Sequence, residues 1–190
     1  MTRVRAVLFD RDAILGEDDL GDPERARPAP GAREALGLLR LHDLRTGFVT
    51  LRPGHLSDAD VRTANRRVDE LLGPFDIWGV CPHGPDDGCH CRPPEPGLIL
   101  WAAGRLCTPP AHCAVIGTAA HAEAAHRAGA HGILVPNKQT EPRDTAQADH
   151  VAPDLLTAAR ALLTGPPKGQ VLVDEHPIES AFTTDGPTSP

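Results

Sequence analysis

The sequence predicts an α/β protein: a Rossmann-like, doubly wound parallel sheet with helices on both faces. Short apolar runs with branched side chains, typical of strands buried on both faces, recur along the chain. Segments of about ten residues with helical periodicity separate these runs, and such alternation favours a parallel sheet. The 20 prolines and 18 glycines indicate many tight loops between the elements.

Five segments have the character of strands. The first is residues 4–9 (VRAVLF), an apolar run with branched residues that ends at Asp10. The others are predicted at residues 46–50, 75–80, 113–117 and 132–135. Parallel sheets collect ligands beyond the carboxyl ends of their strands. The residues expected to face one another across this crevice are those that follow Phe9, Thr50, Val80 and Gly117.

Five further segments have helical patterns. Residues 30–43 place apolar side chains on one face, behind a Pro-Gly start. Ser57 and Asp60 resemble a capping box for a helix that continues through Leu72. The remaining helices are predicted at residues 96–107, 121–129 and 150–165. With the strands, they complete the alternation that a doubly wound sheet requires.

Length and composition favour a single domain followed by a tail. The 190 residues suffice for one hydrophobic core. We predict the domain at residues 1–164 and a flexible tail at residues 165–190, which lack helical periodicity and are rich in turn residues. Within the tail, residues 171–173 (VLV) could pair at a sheet edge.

Charge and hydropathy argue against several classes of partner. A net charge of −7 disfavours nucleic acid, which needs a concentrated basic face. The longest apolar run, residues 98–103, is too short to span a membrane, and no signal peptide is evident. We therefore expect a cytoplasmic monomer that binds neither nucleic acid nor membranes. In the reducing cytoplasm, clustered cysteines indicate a metal site more often than a disulfide.

A loop rich in glycine and proline, residues 79–97, contains a C-x-H-x5-C-x-C cluster. Its members are Cys81, His83, Cys89 and Cys91. Three thiolates and one imidazole are a ligand set of closed, tetrahedral zinc sites, so we predict a structural zinc that holds the loop in shape. The alternatives are incidental cysteines or a disulfide, and His90 could replace His83 as the nitrogen ligand. The two cysteines outside the cluster, Cys107 and Cys113, are interpreted as buried apolar side chains.

Two carboxylates, Asp10 and Asp12, follow the first strand with one residue between them. Both can point into the crevice, where they could hold a magnesium ion. One could then attack phosphorus while the other handles the proton of the leaving group. The alternative is a turn in which short acidic side chains bond their own backbone. The pair alone is weak evidence for catalysis.

Three motifs together resemble those of a known family. They are VLFDRDAIL at the first strand, FVT ending at Thr50 on the second, and CHCRPPEPG after the C-x-H half of the cysteine cluster. In order and spacing they are similar to the motifs of the haloacid dehalogenase-like phosphatases. More narrowly, the chain from about residue 4 to about residue 164 resembles the zinc-containing D-glycero-D-manno-heptose 1,7-bisphosphate 7-phosphatases and the related histidinol-phosphate phosphatases.

The resemblance implies a magnesium-dependent phosphatase that acts on a small phosphorylated metabolite, such as a heptose bisphosphate, through an aspartyl-phosphate. Asp10 would be the nucleophile and a magnesium ligand. Asp12 would be the general acid/base, and its backbone carbonyl would also meet the metal. Thr50 would bind the transferring phosphoryl group, and Arg92, placed by the zinc loop, would contact substrate phosphate.

Several positions depart from the family's pattern. The polar residues after the threonine, the lysine after the arginine and two magnesium-binding acids are all replaced. The substituted positions are Leu51, Arg52, Pro53, Gly54, Pro93, Thr118 and Ala122. Candidate substitutes for the lost groups are Arg92, Glu123 and Lys138. The changes predict a weakened magnesium site and leave two hypotheses: a phosphatase, or a catalytically silent member that binds a phosphorylated ligand or a protein partner. A nucleic-acid module built on the zinc loop is disfavoured by the net charge.

Overall fold

The computed structural model describes residues 3–15, 26–54 and 56–164, and within them five strands form one parallel sheet. The strands are β1 (Ala6–Asp10), β2 (Arg45–Leu51), β3 (Ile77–Cys81), β4 (Cys113–Gly117) and β5 (His131–Leu134). Their order across the sheet is β3-β2-β1-β4-β5. The predicted parallel sheet is confirmed, with β1 at its centre.

Helices connect the strands. They are α1 (Arg11–Ile14), α2 (Ala32–Leu41), α3 (Asp58–Leu72), α4 (Gly97–Arg105), α5 (Ala119–Arg127), α6 (Pro142–Gln147) and α7 (Leu155–Thr164), with a 3-10 turn at Pro110–His112. Neither α1 nor α6 was predicted. Helix α6 has no buried residue, so it carries no hydrophobic period, and it begins at a capping box formed by Glu141 and Asp144. No helix in the described ranges is long and apolar enough to cross a membrane.

Helices cover both faces of the sheet, as the doubly wound prediction requires. Side chains of β1 alternate between two buried clusters: Val7 and Phe9 pack with α2, α3 and α7, whereas Ala6 and Leu8 pack with α4 and α5. Because helices cover both faces of the sheet, the run at residues 4–9 does not have to alternate between apolar and polar side chains. The predicted tail, including residues 171–173, lies outside the described residues.

The register of the strands places their carboxyl ends along one edge. Asp10 pairs with Val49 of β2, and the next residue of β2, Thr50, pairs with Val80 of β3. Cys81 then ends β3 and leads directly into the cysteine loop. On the other side of β1, strand β4 ends at Gly117. The segments predicted to line a crevice therefore share one edge of the sheet.

Candidate active site and metal cluster

Asp10 lies at the last position of the central strand and is almost fully buried, with 4% of its surface exposed. It is also the N-cap of α1, and its Oδ1 accepts a hydrogen bond from the backbone N–H of Asp12 at 3.2 Å. Burial raises the pKa of Asp10, while the adjacent His121 acts in the opposite direction. The strand end thus holds one carboxylate in a fixed orientation, with Oδ1 bonded to the backbone and Oδ2 facing His121.

Asp12 lies closer to solvent, with 42% of its side chain exposed. The buried guanidinium of Arg11 donates to Asp12 Oδ1 through Nε, at 3.0 Å. Asp12 also lines a cavity of about 390 Å³ at this edge of the sheet, together with Thr118 and Lys138. A larger cavity, about 490 Å³, lies against α5 and α6 and includes neither carboxylate. Of the predicted catalytic and phosphate-binding residues, only Asp12 lines the smaller cavity; Asp10, Thr50 and Arg92 do not.

His121 was not predicted as a site residue, yet it contacts Asp10 directly. Its Nδ1 lies 3.3 Å from Asp10 Oδ2 and 2.9 Å from Thr118 Oγ1. The helix predicted at residues 121–129 starts two residues earlier in the structure, where α5 begins at Ala119 behind Thr118 as its N-cap. A threonine before a helix is a capping signal. A helix that begins after this threonine has His121 in its first turn, beside the strand ends.

The two positions that lack the expected acids sit at the same edge. Thr118 directs its hydroxyl to His121, and Ala122 brings no donor group. Glu123, a candidate substitute, instead accepts from Arg127 Nε at 2.8 Å and is half exposed. This ion pair favours the interpretation of Glu123 as a solvated helix residue and not as a magnesium ligand.

Thr50 follows the β2 residue that pairs with Asp10, whereas the described contact of Arg92 is with the cysteine loop. Thr50 is buried, and its hydroxyl donates to the Leu51 carbonyl at 3.3 Å. Arg92 donates through Nη1 to the carbonyl of His83 at 3.2 Å, which ties it to the cysteine loop. Among the described residues, no hydrogen bond joins Thr50 or Arg92 to Asp10 or Asp12. Their predicted roles in binding phosphate remain predictions.

The four predicted metal ligands converge at the end of β3. The donor atoms of Cys81, His83, Cys89 and Cys91 all lie within 4.8 Å of one another. The three sulfurs are 3.2, 3.6 and 3.7 Å apart, and His83 Nδ1 lies 3.2 Å from Cys91 Sγ. A tetrahedral ion with bonds of about 2.3 Å to sulfur separates its sulfurs by about 3.8 Å. This cluster could therefore hold a metal ion, and its nitrogen comes from His83.

Two thiols of this cluster have pKa values shifted in opposite directions. Burial and the neighbouring thiols Cys81 and Cys89 raise the pKa of Cys91 to about 12, whereas the pKa of Cys89 is lowered because its burial is outweighed by backbone hydrogen bonds from Cys91 and Arg92. Outside the cluster, Cys113 is buried as predicted, but the prediction for Cys107 was wrong. Cys107 is exposed at a positive φ of 48°, because α4 ends before it and the chain turns away from the core.

Gly117 is the residue that lets Asp10 and His121 approach each other. A Cβ at this position would lie 2.6 Å from the Cβ of Asp10 and 3.3 Å from the Cβ of His121. We expect Gly117→Ala to displace Asp10 and lower any phosphatase rate by about 100-fold, since small misplacements at a reacting centre have this cost. Overpacking should also lower the free energy of unfolding by about 1–3 kcal/mol.

Gly37→Ala is the matched control for this prediction. Gly37 lies inside α2, and a Cβ there meets no atom within 4 Å. Alanine should stabilise that helix by about 0.5–1 kcal/mol and leave the rate unchanged. Urea denaturation and phosphate-release rates measure both effects. A Gly117→Ala protein as stable and as active as wild type would show that Asp10 is not positioned by this contact.

The chain is similar to several known proteins. A family model described as "HAD-hyrolase-like" matches residues 90–158. The D-glycero-beta-D-manno-heptose-1,7-bisphosphate 7-phosphatase of Bordetella bronchiseptica is 28% identical over 176 residues, which cover 84% of this chain and 98% of that protein. The D-glycero-alpha-D-manno-heptose-1,7-bisphosphate 7-phosphatase of Mycobacterium tuberculosis is 32% identical over 111 residues, covering 52% of this chain and 58% of that protein.

The fold is also similar to solved structures. The crystal structure of D,D-heptose 1.7-bisphosphate phosphatase from B. bronchiseptica, complexed with magnesium and phosphate, superimposes with a TM-score of 0.71 at 26% identity. The match covers 85% of this chain and 99% of that chain. Sequence and fold agree over almost the whole length of this relative. The chain is therefore similar in sequence and in fold to haloacid dehalogenase-like hydrolases.

Proposed function

We propose that this protein is a phosphomonoester hydrolase that acts on a sugar phosphate of the heptose 1,7-bisphosphate type. The observation that carries the proposal is the Asp10 and Asp12 pair at the carboxyl end of the central strand, in a chain similar to heptose bisphosphate phosphatases over nearly their full length. Phosphatases named for the alpha anomer and for the beta anomer of heptose 1,7-bisphosphate both match the chain. The proposal therefore includes both anomers as candidate substrates.

The proposal assigns different roles to the two carboxylates. Asp10, buried and held at Oδ1, supplies an oxygen that attacks phosphorus, and the bond from phosphorus to the leaving oxygen breaks. Asp12, half exposed at the cavity, gives its proton to that leaving oxygen. Asp12 then takes a proton from the water that attacks the aspartyl-phosphate, which releases inorganic phosphate and restores Asp10.

Magnesium fits this site only in part. Asp10 Oδ2 and the Asp12 carbonyl are the protein oxygens proposed to bind the ion, and water and phosphate oxygens would complete its shell. Thr118 and Ala122 bring no carboxylate to this edge. When bound, the ion would neutralise charge between the phosphoryl group and Asp10. The donor set therefore supports a weak magnesium site.

Zinc is the proposed occupant of the cysteine cluster. Three thiolates and one imidazole fill a tetrahedral shell, so the role is structural and not catalytic. The zinc would fix the loop that carries Arg92, whose guanidinium is already tied to His83 of the cluster. In the proposal, Arg92 and the hydroxyl of Thr50 contact the phosphate. We also propose that the protein is a monomer and that it acts in the cytoplasm.

A catalytically silent binding protein is the second candidate. It is favoured by the replaced positions Pro93, Thr118 and Ala122, and by the Thr50 hydroxyl, which is turned to its own neighbour's carbonyl. Removing one preorganised electrostatic group typically costs about 100- to 1,000-fold in rate. Such a protein would bind phosphosugar and release no phosphate.

Phosphate release from a panel of substrates tests the proposal. The zinc-loaded protein is incubated with magnesium and with both anomers of heptose 1,7-bisphosphate, histidinol phosphate and common hexose phosphates. We expect release from a heptose bisphosphate above the rate of a blank without enzyme. Release from no member of the panel, with calorimetry showing that a heptose bisphosphate still binds, would replace the phosphatase with the silent binder.

A further inference from the structure

His121 occupies the space in which a cation would meet the nucleophilic carboxylate. The Oδ1 of Asp10 is engaged by the Asp12 N–H, so Oδ2 is the oxygen available to a metal. His121 Nδ1 lies 3.3 Å from that oxygen. An octahedral magnesium ion bound to Oδ2 would bring a full shell of ligands, with bonds of about 2.0–2.1 Å, to this oxygen. An imidazole already in contact with Oδ2 would compete with that shell for the same side of the carboxylate.

We propose that His121 is an internal competitor for the divalent cation site at Asp10, and that magnesium binds only when the imidazole moves away. This inference rests on the proposed function only in placing the cation at Asp10. In the protein without magnesium, His121 positions the Asp10 carboxylate, and it is therefore the residue that sets the affinity for magnesium.

Displacement of the His121 imidazole costs little free energy, because only one of its two nitrogens has bonding partners in the described ranges. Only Nδ1 has partners, and the buried Nε2 has none among the described residues. A buried polar atom without a partner is a cost to the state in which it occurs. Moving the imidazole to where Nε2 meets water removes that cost and breaks contacts at one nitrogen only.

Thr118 gives the displaced state a second advantage. Thr118 is the N-cap residue of α5, but its hydroxyl bonds His121 and does not cap the helix. Once the imidazole leaves, the hydroxyl is released to accept from an N–H of the first turn, the usual role of an N-cap threonine. The helix therefore gains a cap in the state that binds the cation.

The rival role, in which His121 is a metal ligand, makes the opposite prediction. Magnesium prefers oxygen ligands. Histidines that bind metals almost always hold their second nitrogen in a hydrogen bond. Because Nε2 lacks one among the described residues, Nδ1 is disfavoured as the metal-binding atom, and the measurements below decide whether Nε2 takes that role. Removing a ligand weakens metal binding, whereas removing a competitor strengthens it. The sign of the change separates the two.

Calorimetric titration of magnesium into the zinc-loaded protein, without substrate, tests the proposal. We expect His121→Ala to bind magnesium at least tenfold more tightly than wild type, and Asp10→Asn in the same background to abolish the gain. His126→Ala is the matched control: it removes an exposed histidine of the same helix, and its magnesium affinity should equal that of wild type. Equal or weaker magnesium binding by His121→Ala would overturn the proposal.

A measurement on the unmodified protein covers the case in which His121→Ala does not fold. Manganese(II) replaces magnesium in the zinc-loaded wild-type chain, and pulsed electron paramagnetic resonance detects any nitrogen bound to it. We expect no directly bound nitrogen, and a bound imidazole nitrogen would contradict the competitor role. Neither measurement needs turnover, so a protein without phosphatase activity would overturn the proposed function and leave this inference to be decided by metal affinity.

Discussion

Asp10→Asn is expected to lower the rate of phosphate release from the best sugar phosphate by about 10,000-fold or more, the scale seen when a nucleophile is removed. The amide has nearly the shape of the carboxylate but does not attack phosphorus. Folding should survive the change, because burial raises the pKa of Asp10 and a neutral side chain is easier to bury. Phosphate release and thermal unfolding, measured on the same preparation, separate catalysis from stability.

The control for this prediction is Asp58→Asn, which removes an exposed carboxylate of α3 that pairs with Arg52. An exposed ion pair contributes only about 0–1 kcal/mol, so rate and stability should both stay close to wild type. Equal rates for wild type and Asp10→Asn would mean that the phosphate is released by another group or another protein in the preparation.

Cys91→Ala is expected to remove zinc from the cysteine loop. Cys91 Sγ contacts Cys81, Cys89 and His83 Nδ1 at 3.2–3.6 Å. Its loss therefore removes the donor atom that lies next to all three of the other proposed ligands. Loss of an outer partner of a metal site already costs about 10- to 100-fold in affinity, and loss of a ligand should cost more. Because metal binding supplies the folding free energy of such loops, the loop should also become sensitive to proteases.

Zinc content by atomic spectroscopy and limited proteolysis check this prediction. Cys107→Ala is the matched control, since Cys107 is an exposed cysteine outside the cluster and should leave the zinc content at one ion per chain. A Cys91→Ala protein that keeps one zinc ion with wild-type affinity would show that these four residues are not the ligand set.

Hydrophobic patterning was sufficient to predict the sheet. The strand at residues 4–9 is apolar on both faces because helices cover both, and this makes the pattern unambiguous. The zinc quartet was equally predictable, since its ligands lie within eleven residues and need only a turn to converge. When ligands lie this close together in the sequence, their spacing largely determines how they are arranged in space.

The contact between His121 and Asp10 depends on where α5 begins, and element boundaries are the least certain part of a sequence-based prediction. A shift of two residues in the helix start decides whether His121 faces the sheet or the solvent. The absent acids at Thr118 and Ala122 were visible in the sequence, but the imidazole beside Asp10 was not. It follows from the approach that Gly117 permits between β1 and β4.

The positions of Thr50 and Arg92 could be predicted only to the level of the sheet edge. Strand order brings Thr50 next to Asp10, whereas the direction of its hydroxyl depends on a local hydrogen bond to Leu51. Arg92 follows the cysteine loop, and its guanidinium is held by the His83 carbonyl. Such orientations depend on bonds made after folding, which residue spacing does not encode.

We propose that one phosphoryl group fits between Asp10, Thr50 and Arg92. A crystal structure of the zinc-loaded protein with magnesium and vanadate, a trigonal-bipyramidal mimic of the transferring phosphoryl group, tests this directly. We expect vanadium bound to a carboxylate oxygen of Asp10, with the Thr50 hydroxyl and the Arg92 guanidinium on its equatorial oxygens. Vanadate bound away from Asp10, or an empty Asp10 with Arg92 still turned to His83, would contradict it.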